Sequence, residues 1–316
     1  MNTENNNPSS VPLLNAECTL GSAVDQITEV LDASGLSFGH GTESAEQEAV
    51  WLVLHACKAE TDEDVHWHRI VKADERKVIE SCLSRRVQSK KPMAYVLGQA
   101  WFAGLSFHVD ERVLVPRSFL SEWVPDQFSP WIDPSTVKSV LDMCCGSGCI
   151  GISTAIAMEQ VKVVLSDVSQ DALAVAKINI ERHHLSDRVS THCGDRFEGI
   201  DCKFDLILCN PPYVSDQRMA TLPDEFRSEP EIGLRAGADG LDFIRPFMAE
   251  VRSHLSDHGH VIVEAGSASV AVEKAWPDVP FTWLGTEHDE MVLYVIGAEE
   301  LDRYRSRFQS VPTDES

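Results

Sequence analysis

Phe204-Asp205-Leu206-Ile207-Leu208-Cys209-Asn210-Pro211-Pro212-Tyr213 decides how the rest of the chain is read. The run from Phe204 to Cys209 is short and almost continuously apolar, as expected of a parallel strand buried on both faces. Two prolines, which cannot continue a sheet ladder, stop it at once. They fix φ and remove two backbone donors, so Asn210 and the Pro211 carbonyl are held rigid at the strand's C-terminal edge. In an open α/β sheet, ligands bind in the crevice at that edge. An Asn side chain beside a proline-flanked carbonyl can accept two hydrogen bonds from one planar NH2 group, and Tyr213 offers a face to stack on it. Taken alone, Asn-Pro-Pro is also an ordinary turn sequence. Its surroundings decide between the two readings.

From Val137 onward the pattern is strand-helix alternation. Val137 to Met143 reads as a strand, and Cys145-Gly146-Ser147-Gly148 turns into a helix from Cys149 to Met158. Strands follow at Val161 to Ser166, Val189 to Cys193, Phe204 to Cys209, His260 to Ala265, Phe281 to Gly285 and Val292 to Ile296. Helices are expected over Asp171 to His183, Gly240 to Leu255 and around Ala268 to Trp276. This βαβ repetition predicts an α/β fold, a doubly wound, Rossmann-like sheet of seven strands, its last two close enough to pair antiparallel.

The chain before this is different in kind. Residues 1–21 are polar and Asn-rich and read as a flexible arm. Helical spacing begins at Ser22, with Val24, Ile27, Val30 and Leu31 on one face and Gly35 as the stop. Further helices are expected from Ser44 to Lys58 and from near Asp74, and the stretch Val65 to Val71 reads as another helical turn. The segment 22–92 is thus a small helical domain. Pro92 closes it, and Tyr95 to Val115 alternates apolar and polar residues around Gly98 and Gly104, suggesting one or two short hairpins. The expected layout is therefore arm 1–21, helical domain 22–92, hairpin and linker 93–134, main domain 135–300 and tail 301–316.

The chain has 316 residues and a formal net charge of -23, a surface that repels a phosphate backbone and attracts basic partners. Direct nucleic-acid binding is not expected. The nine cysteines contain no Cys-x-x-Cys pair, no apolar run reaches membrane length, and the start lacks a signal pattern. A reduced, soluble, cytoplasmic chain is expected. Cys144, Cys145 and Cys149 fit no zinc spacing, and no metal is expected. Trp51, Trp67, His55, His66 and His68 read as packing and surface residues.

The glycine loop carries the cofactor reading. Asp142-Met143-Cys144-Cys145-Gly146-Ser147-Gly148 lacks the full G-x-G-x-x-G fingerprint, and Cys149-Ile150-Gly151 only mimics its remainder. More specific is the set of strand, acid, small-residue loop, helix, second strand and then Asp167. A carboxylate there can take both hydroxyls of a ribose. Asp195, ending the third strand, lies where an adenine amine would reach, and Asp142 can anchor an ammonium or shape the loop. A ribose carboxylate does not separate a nicotinamide dinucleotide from S-adenosylmethionine. The amide clamp does, because hydride transfer has no use for it and methyl transfer to a planar nitrogen does.

Asp142 to Gly148, Asp167, Asp195 and Asn210 to Tyr213 together resemble the class I S-adenosylmethionine-dependent methyltransferases of amide or exocyclic nitrogens. Asp110-Glu111-Arg112-Val113-Leu114-Val115-Pro116-Arg117-Ser118 and Glu225-Phe226-Arg227-Ser228-Glu229-Pro230-Glu231-Ile232-Gly233-Leu234 narrow this. They are similar to the protein N(5)-glutamine methyltransferase family, which places a helical domain, expected to carry substrate choice, before the catalytic one. Asp110-Glu111-Arg112 and Cys144 look more like the branch acting on large-subunit ribosomal protein three than the branch acting on peptide-release factors. The resemblance implies S-adenosylmethionine as cofactor, held by Asp142, Cys144, Cys145, Gly146, Ser147, Gly148, Asp167, Asp195, Arg196 and Asn210. It implies catalysis by Asn210, Pro211 and Tyr213. Substrate contacts would come from these with Pro212, Arg117, Glu122 and Glu231, and the partner is a basic ribosomal protein. Cys145 stands where the family usually carries Thr, and Arg196 where the release-factor branch often carries an aromatic. The alternatives are a release factor as substrate and, more distantly, adenine methylation in nucleic acid.

Overall fold

The computed structural model describes residues 14–15, 17–285 and 291–309. These divide into two compact units, one of residues up to Gln99 with Pro223–Ser228, the other of Ala100–Leu222 and Glu229 onward.

The second unit carries the sheet. A two-stranded hairpin, β1 (Ala100–Phe102) with β2 (Leu105–Phe107), precedes it. The sheet strands are β3 (Ser139–Met143), β4 (Lys162–Asp167), β5 (Val189–Cys193), β6 (Phe204–Cys209), β7 (Leu255–Glu264), β8 (Thr282–Leu284) and β9 (Leu293–Gly297). Their order is β5-β4-β3-β6-β7-β9-β8. The first five strands of that order pair in parallel, and β9 lies antiparallel between β7 and β8. The seven-stranded α/β sheet expected from the alternation is therefore present.

The apolar run at the centre explains itself by burial on both sides. Leu206 and Leu208 share one core with Val140, Ile152 and Leu165. Ile207 and Cys209 share the other with Leu141, Phe247 and Val263. A strand facing two cores has no polar face to alternate with. The chain runs outward from β3 through β4 to β5 and returns to β6 on the other side of β3, so a crevice opens at the carboxyl ends of β3 and β6.

Two element assignments need correction in this unit. The expected helix from Gly240 is α-helical only over Ile244–Glu250, followed by a 3-10 turn over Val251–His254. Pro246 is the reason: it fits the first turn of this helix, but deeper inside a longer one its ring would clash with a preceding carbonyl. The expected tail is also structured, with helices at Ala298–Arg303 and Arg305–Gln309 whose Leu301 and Phe308 are buried in the core. Residues 310–316 lie outside the described residues.

The first unit holds helices Leu20–Ala33, Ala45–Cys57, Ala73–Ser89 and Met93–Leu97. The last replaces the start of the expected hairpin stretch: Pro92 caps it and Gly98, at φ 66°, ends it, so the unit runs past Pro92 to Gln99. The stretch Val65 to Val71 is not a helix either. Its backbone pairs with the entry to the first helix, Leu20 N donating to Arg69 O at 3.0 Å and Val71 N to Cys18 O at 3.0 Å. Of the expected arm, residues 1–13 lie outside the described residues.

Inside this unit Arg86 is completely buried and its guanidinium grips Glu48, Nε to Oε2 at 2.9 Å and Nη2 to Oε1 at 3.0 Å. Burial pushes the Glu48 carboxyl up, and the bonds from Arg86 oppose that shift. The segment Pro223–Ser228, distant in sequence, also belongs here. Glu225 Oε1 accepts from Ser37 N at 2.7 Å, and the Phe226 ring lies 4.1 Å from that of His40.

Candidate active site

The crevice contains a cavity of about 340 Å³, a size that suits a small-molecule ligand. Its wall is built from strand ends: Met143 to Ser147 after β3, Asp167 to Ser169 after β4, Gly194 to Arg196 after β5, Asn210 to Val214 after β6 and Glu264 ending β7. Arg112 to Ser118 and Pro230 with Ile232 to Leu234 also line it.

The clamp follows from the two prolines. Beyond them Val214 N donates to Leu234 O at 2.8 Å and Ala236 N to Val214 O at 2.9 Å, which ties the loop down. Among the described residues no donor meets the Asn210 side chain or the Pro211 carbonyl, although both residues line the cavity. Two acceptors thus stand unused on the wall. Tyr213 is fixed instead: its Oη donates to Glu264 Oε1 at 3.0 Å, and its ring lies close against Gly266. A Cβ at Gly266, whose φ is +46°, would come within 2.6 Å of the ring.

The glycine loop is shaped from beneath. Asp142 is 0% exposed and is not among the residues that line the cavity. It shapes the loop, its Oδ2 accepting from Gly151 N at 2.8 Å. Gly151 must lack a side chain because a Cβ would lie 2.3 Å from Leu165 and 2.9 Å from the Asp142 Cβ. Gly148, also behind the wall, packs its backbone against Leu165. Gly146, at φ +52°, has open space where its Cβ would be, and its N–H donates to Asp167 Oδ2 at 2.9 Å. Asp167 Oδ1 accepts from Ser169 N at 2.9 Å, and burial pushes the carboxyl up against the pull of these bonds.

Burial also pushes the Asp142 carboxyl up, to about 7. Its unfolded value lies near 3.9, so the folded chain binds the extra proton between those values and loses stability as pH rises through them. Asp142→Asn cannot ionise. Its advantage over the wild type should be near zero at pH 4, grow by up to about 1.4 kcal/mol per pH unit toward pH 7, and then level off. Urea unfolding across this range measures it, and a pH-independent difference would refute the assignment.

Other expected residues divide. Cys144, Cys145, Gly146, Ser147, Asp167, Asp195, Arg196, Asn210 to Tyr213 and Arg117 line the cavity. Arg196 folds onto Asp195, Nη1 lying 3.1 Å from each carboxylate oxygen. Glu122 and Glu231 stand apart from these: neither lines the cavity, and the exposed Glu231 pairs with Arg235 at 2.5 Å. Arg117 is instead held by Glu229, at 2.5 and 2.7 Å, and the same carboxylate takes Val115 N at 3.0 Å. Glu229 and Glu264 were missed. Glu264 had a signal, since it closes the apolar run Val261-Ile262-Val263 where a parallel strand should end.

A Rossmann-like sheet with a glycine loop and an Asn-Pro-Pro-Tyr turn in one crevice is the framework of a methyltransferase, and the methyltransferase small domain model matches residues 128–229. A ribosomal protein uL3 glutamine methyltransferase of Francisella tularensis is 42% identical over 283 residues, which cover 88% of this chain and 90% of the relative. The enzymes of that name from Bordetella pertussis and Neisseria gonorrhoeae are 38% and 40% identical, with 96% and 90% of each relative covered. The chain belongs to the ribosomal protein uL3 glutamine methyltransferases.

Proposed function

We propose that the enzyme transfers a methyl group from S-adenosylmethionine to the side-chain amide nitrogen of a glutamine in uL3, large-subunit ribosomal protein three. The observation that carries this is the pair of unused acceptors, Asn210 and the Pro211 carbonyl, beside the anchored Tyr213 on the cavity wall.

The chain's residues fit the cofactor. Asp167 presents its carboxylate to the cavity for the ribose, Gly146 leaves open space against it, and the Asp195–Arg196 pair closes the adenine side. When bound, S-adenosylmethionine supplies a methyl group already activated on a sulfonium.

The protein then has mainly to position. An amide lone pair is delocalised into its carbonyl and is a poor nucleophile. Asn210 and the Pro211 carbonyl accept the two N–H bonds and turn the lone pair toward the methyl group, while Tyr213 covers the amide plane. Alignment of this kind supplies ~7–11 kcal/mol of the barrier. The methylated nitrogen loses its extra proton to water, so no buried base is needed.

Labelled S-adenosylmethionine incubated with purified uL3 and, separately, a peptide-release factor tests the reading. Label at a glutamine of uL3 is the expected result. Label on the release factor alone would keep the chemistry and change the substrate, and label on neither would remove the glutamine reading. The charge of -23 steers a basic ribosomal protein toward the enzyme. The second-order rate on intact uL3 should therefore fall roughly tenfold from low to high salt. A salt-independent rate would exclude steering.

A further inference from the structure

Glu264 is 1% exposed yet forms part of the cavity wall, and the proposed mechanism leaves it without a task. Its carboxylate is shared by groups from separate stretches. Oε2 accepts from Ser118 Oγ at 2.5 Å and Phe119 N at 3.1 Å, and Oε1 accepts from Tyr213 Oη at 3.0 Å. The directions are forced. Ser118 Oγ already accepts from Leu120 N at 3.2 Å, so its proton points to Glu264, and a backbone N–H can only donate. An acceptor meeting that many donors on two oxygens is best served by the ionised carboxylate. Burial raises the Glu264 carboxyl and the Tyr213 hydroxyl alike, which keeps the proton on the tyrosine and makes Tyr213 the donor.

Tyr213 is thereby fixed at both ends. Gly266 packs close against its ring, and Glu264 pins its hydroxyl. A phenol that only filled space would need the first contact but not the second. The same carboxylate holds Ser118 and Phe119, next to the cavity-lining Arg117. We propose that Glu264 is the positioning residue that aims the Tyr213 ring at the acceptor amide. The inference rests on the functional reading above.

The test combines steady-state methyl transfer to uL3 with ring-carbon NMR of the tyrosines, four in the chain and so readily assigned. In Glu264→Gln the Tyr213 ring signals should broaden or shift while those of Tyr95, Tyr294 and Tyr304 stay in place. Its kcat should fall ~10–100-fold, with KM for S-adenosylmethionine within about twofold of wild type. Tyr213→Phe cuts the same bond from the other side. In that background Glu264→Gln should cost no more than a further ~2-fold, because one coupling is being removed twice. Multiplicative losses, or unchanged Tyr213 signals, would overturn the proposal and leave Glu264 a support of the fold. If Glu264→Gln does not fold, Tyr213→Phe decides alone, and wild-type kcat would overturn the proposal. No transfer by the wild-type enzyme would instead overturn the substrate assignment, with the ring signals still reporting whether Glu264 holds Tyr213.

Discussion

Asn210→Ala should lower kcat for methyl transfer to uL3 by at least ~10²-fold, the usual consequence of deleting one fixed hydrogen-bonding partner of a developing charge. The expectation has two parts, and both follow from geometry. Asn210 is half-buried at the end of β6 with no protein partner for its side chain among the described residues, so truncation leaves no orphaned group behind. The melting temperature should barely move. On the proposed mechanism, what is lost is one of the two acceptors that hold the amide, and with it the lone-pair direction. The Pro211 carbonyl alone leaves the NH2 group free to turn about the remaining bond. Cofactor affinity should fall far less than kcat, since Asn210 is one of several expected cofactor contacts and Asp167 and the glycine loop are untouched. Single-turnover transfer, equilibrium binding of S-adenosylmethionine and a thermal melt separate these effects. Undiminished turnover would sink the clamp mechanism.

Glu48→Ala should destabilise the first unit by ~3–5 kcal/mol, the cost of leaving a buried charge without its partner. Arg86 is 0% exposed, and the lost carboxylate is the group that accepts from both its Nε and Nη2. Against a total stability of ~5–15 kcal/mol, such a loss decides whether the unit stays folded at 37 °C. Replacing both residues with apolar ones of similar volume, as in Glu48→Leu with Arg86→Met, should recover most of it. Urea unfolding followed by far-ultraviolet circular dichroism measures both. A single-variant loss below about 1 kcal/mol would mean that water reaches the pair.

Much of the catalytic unit was legible in the sequence because its signals are local. A continuous apolar run closed by Pro211 and Pro212 identifies β6, and acids at strand ends identify Asp167 and Asp195 on the cavity wall. The partners of those residues were not legible, because pairing across the fold has no local signature. Arg117 was expected at the cavity together with Glu231, whereas its partner in the fold is Glu229, two residues earlier. The fold turns Glu229 onto Arg117 and Glu231 out to Arg235. Asp142 reads equally as a ligand group or a loop anchor, and its bond to Gly151 in the helix beginning at Cys149 has no local signature. Helix and tail limits failed for similar reasons. Pro246 and the packing of Leu301 and Phe308 overrode the periodicity.

The placement of Pro223–Ser228 constrains how this enzyme can be taken apart. Its chain crosses from one unit to the other after Gln99, after Leu222 and after Ser228, so no single cut releases either piece whole. A fragment ending at Gln99 would keep Ser37 and His40 but lose Glu225 and Phe226, which complete them. A chimera that exchanges the amino-terminal helices between two relatives would likewise mismatch this short strap unless residues 223–228 travel with them. The helical unit can be transplanted only in two pieces.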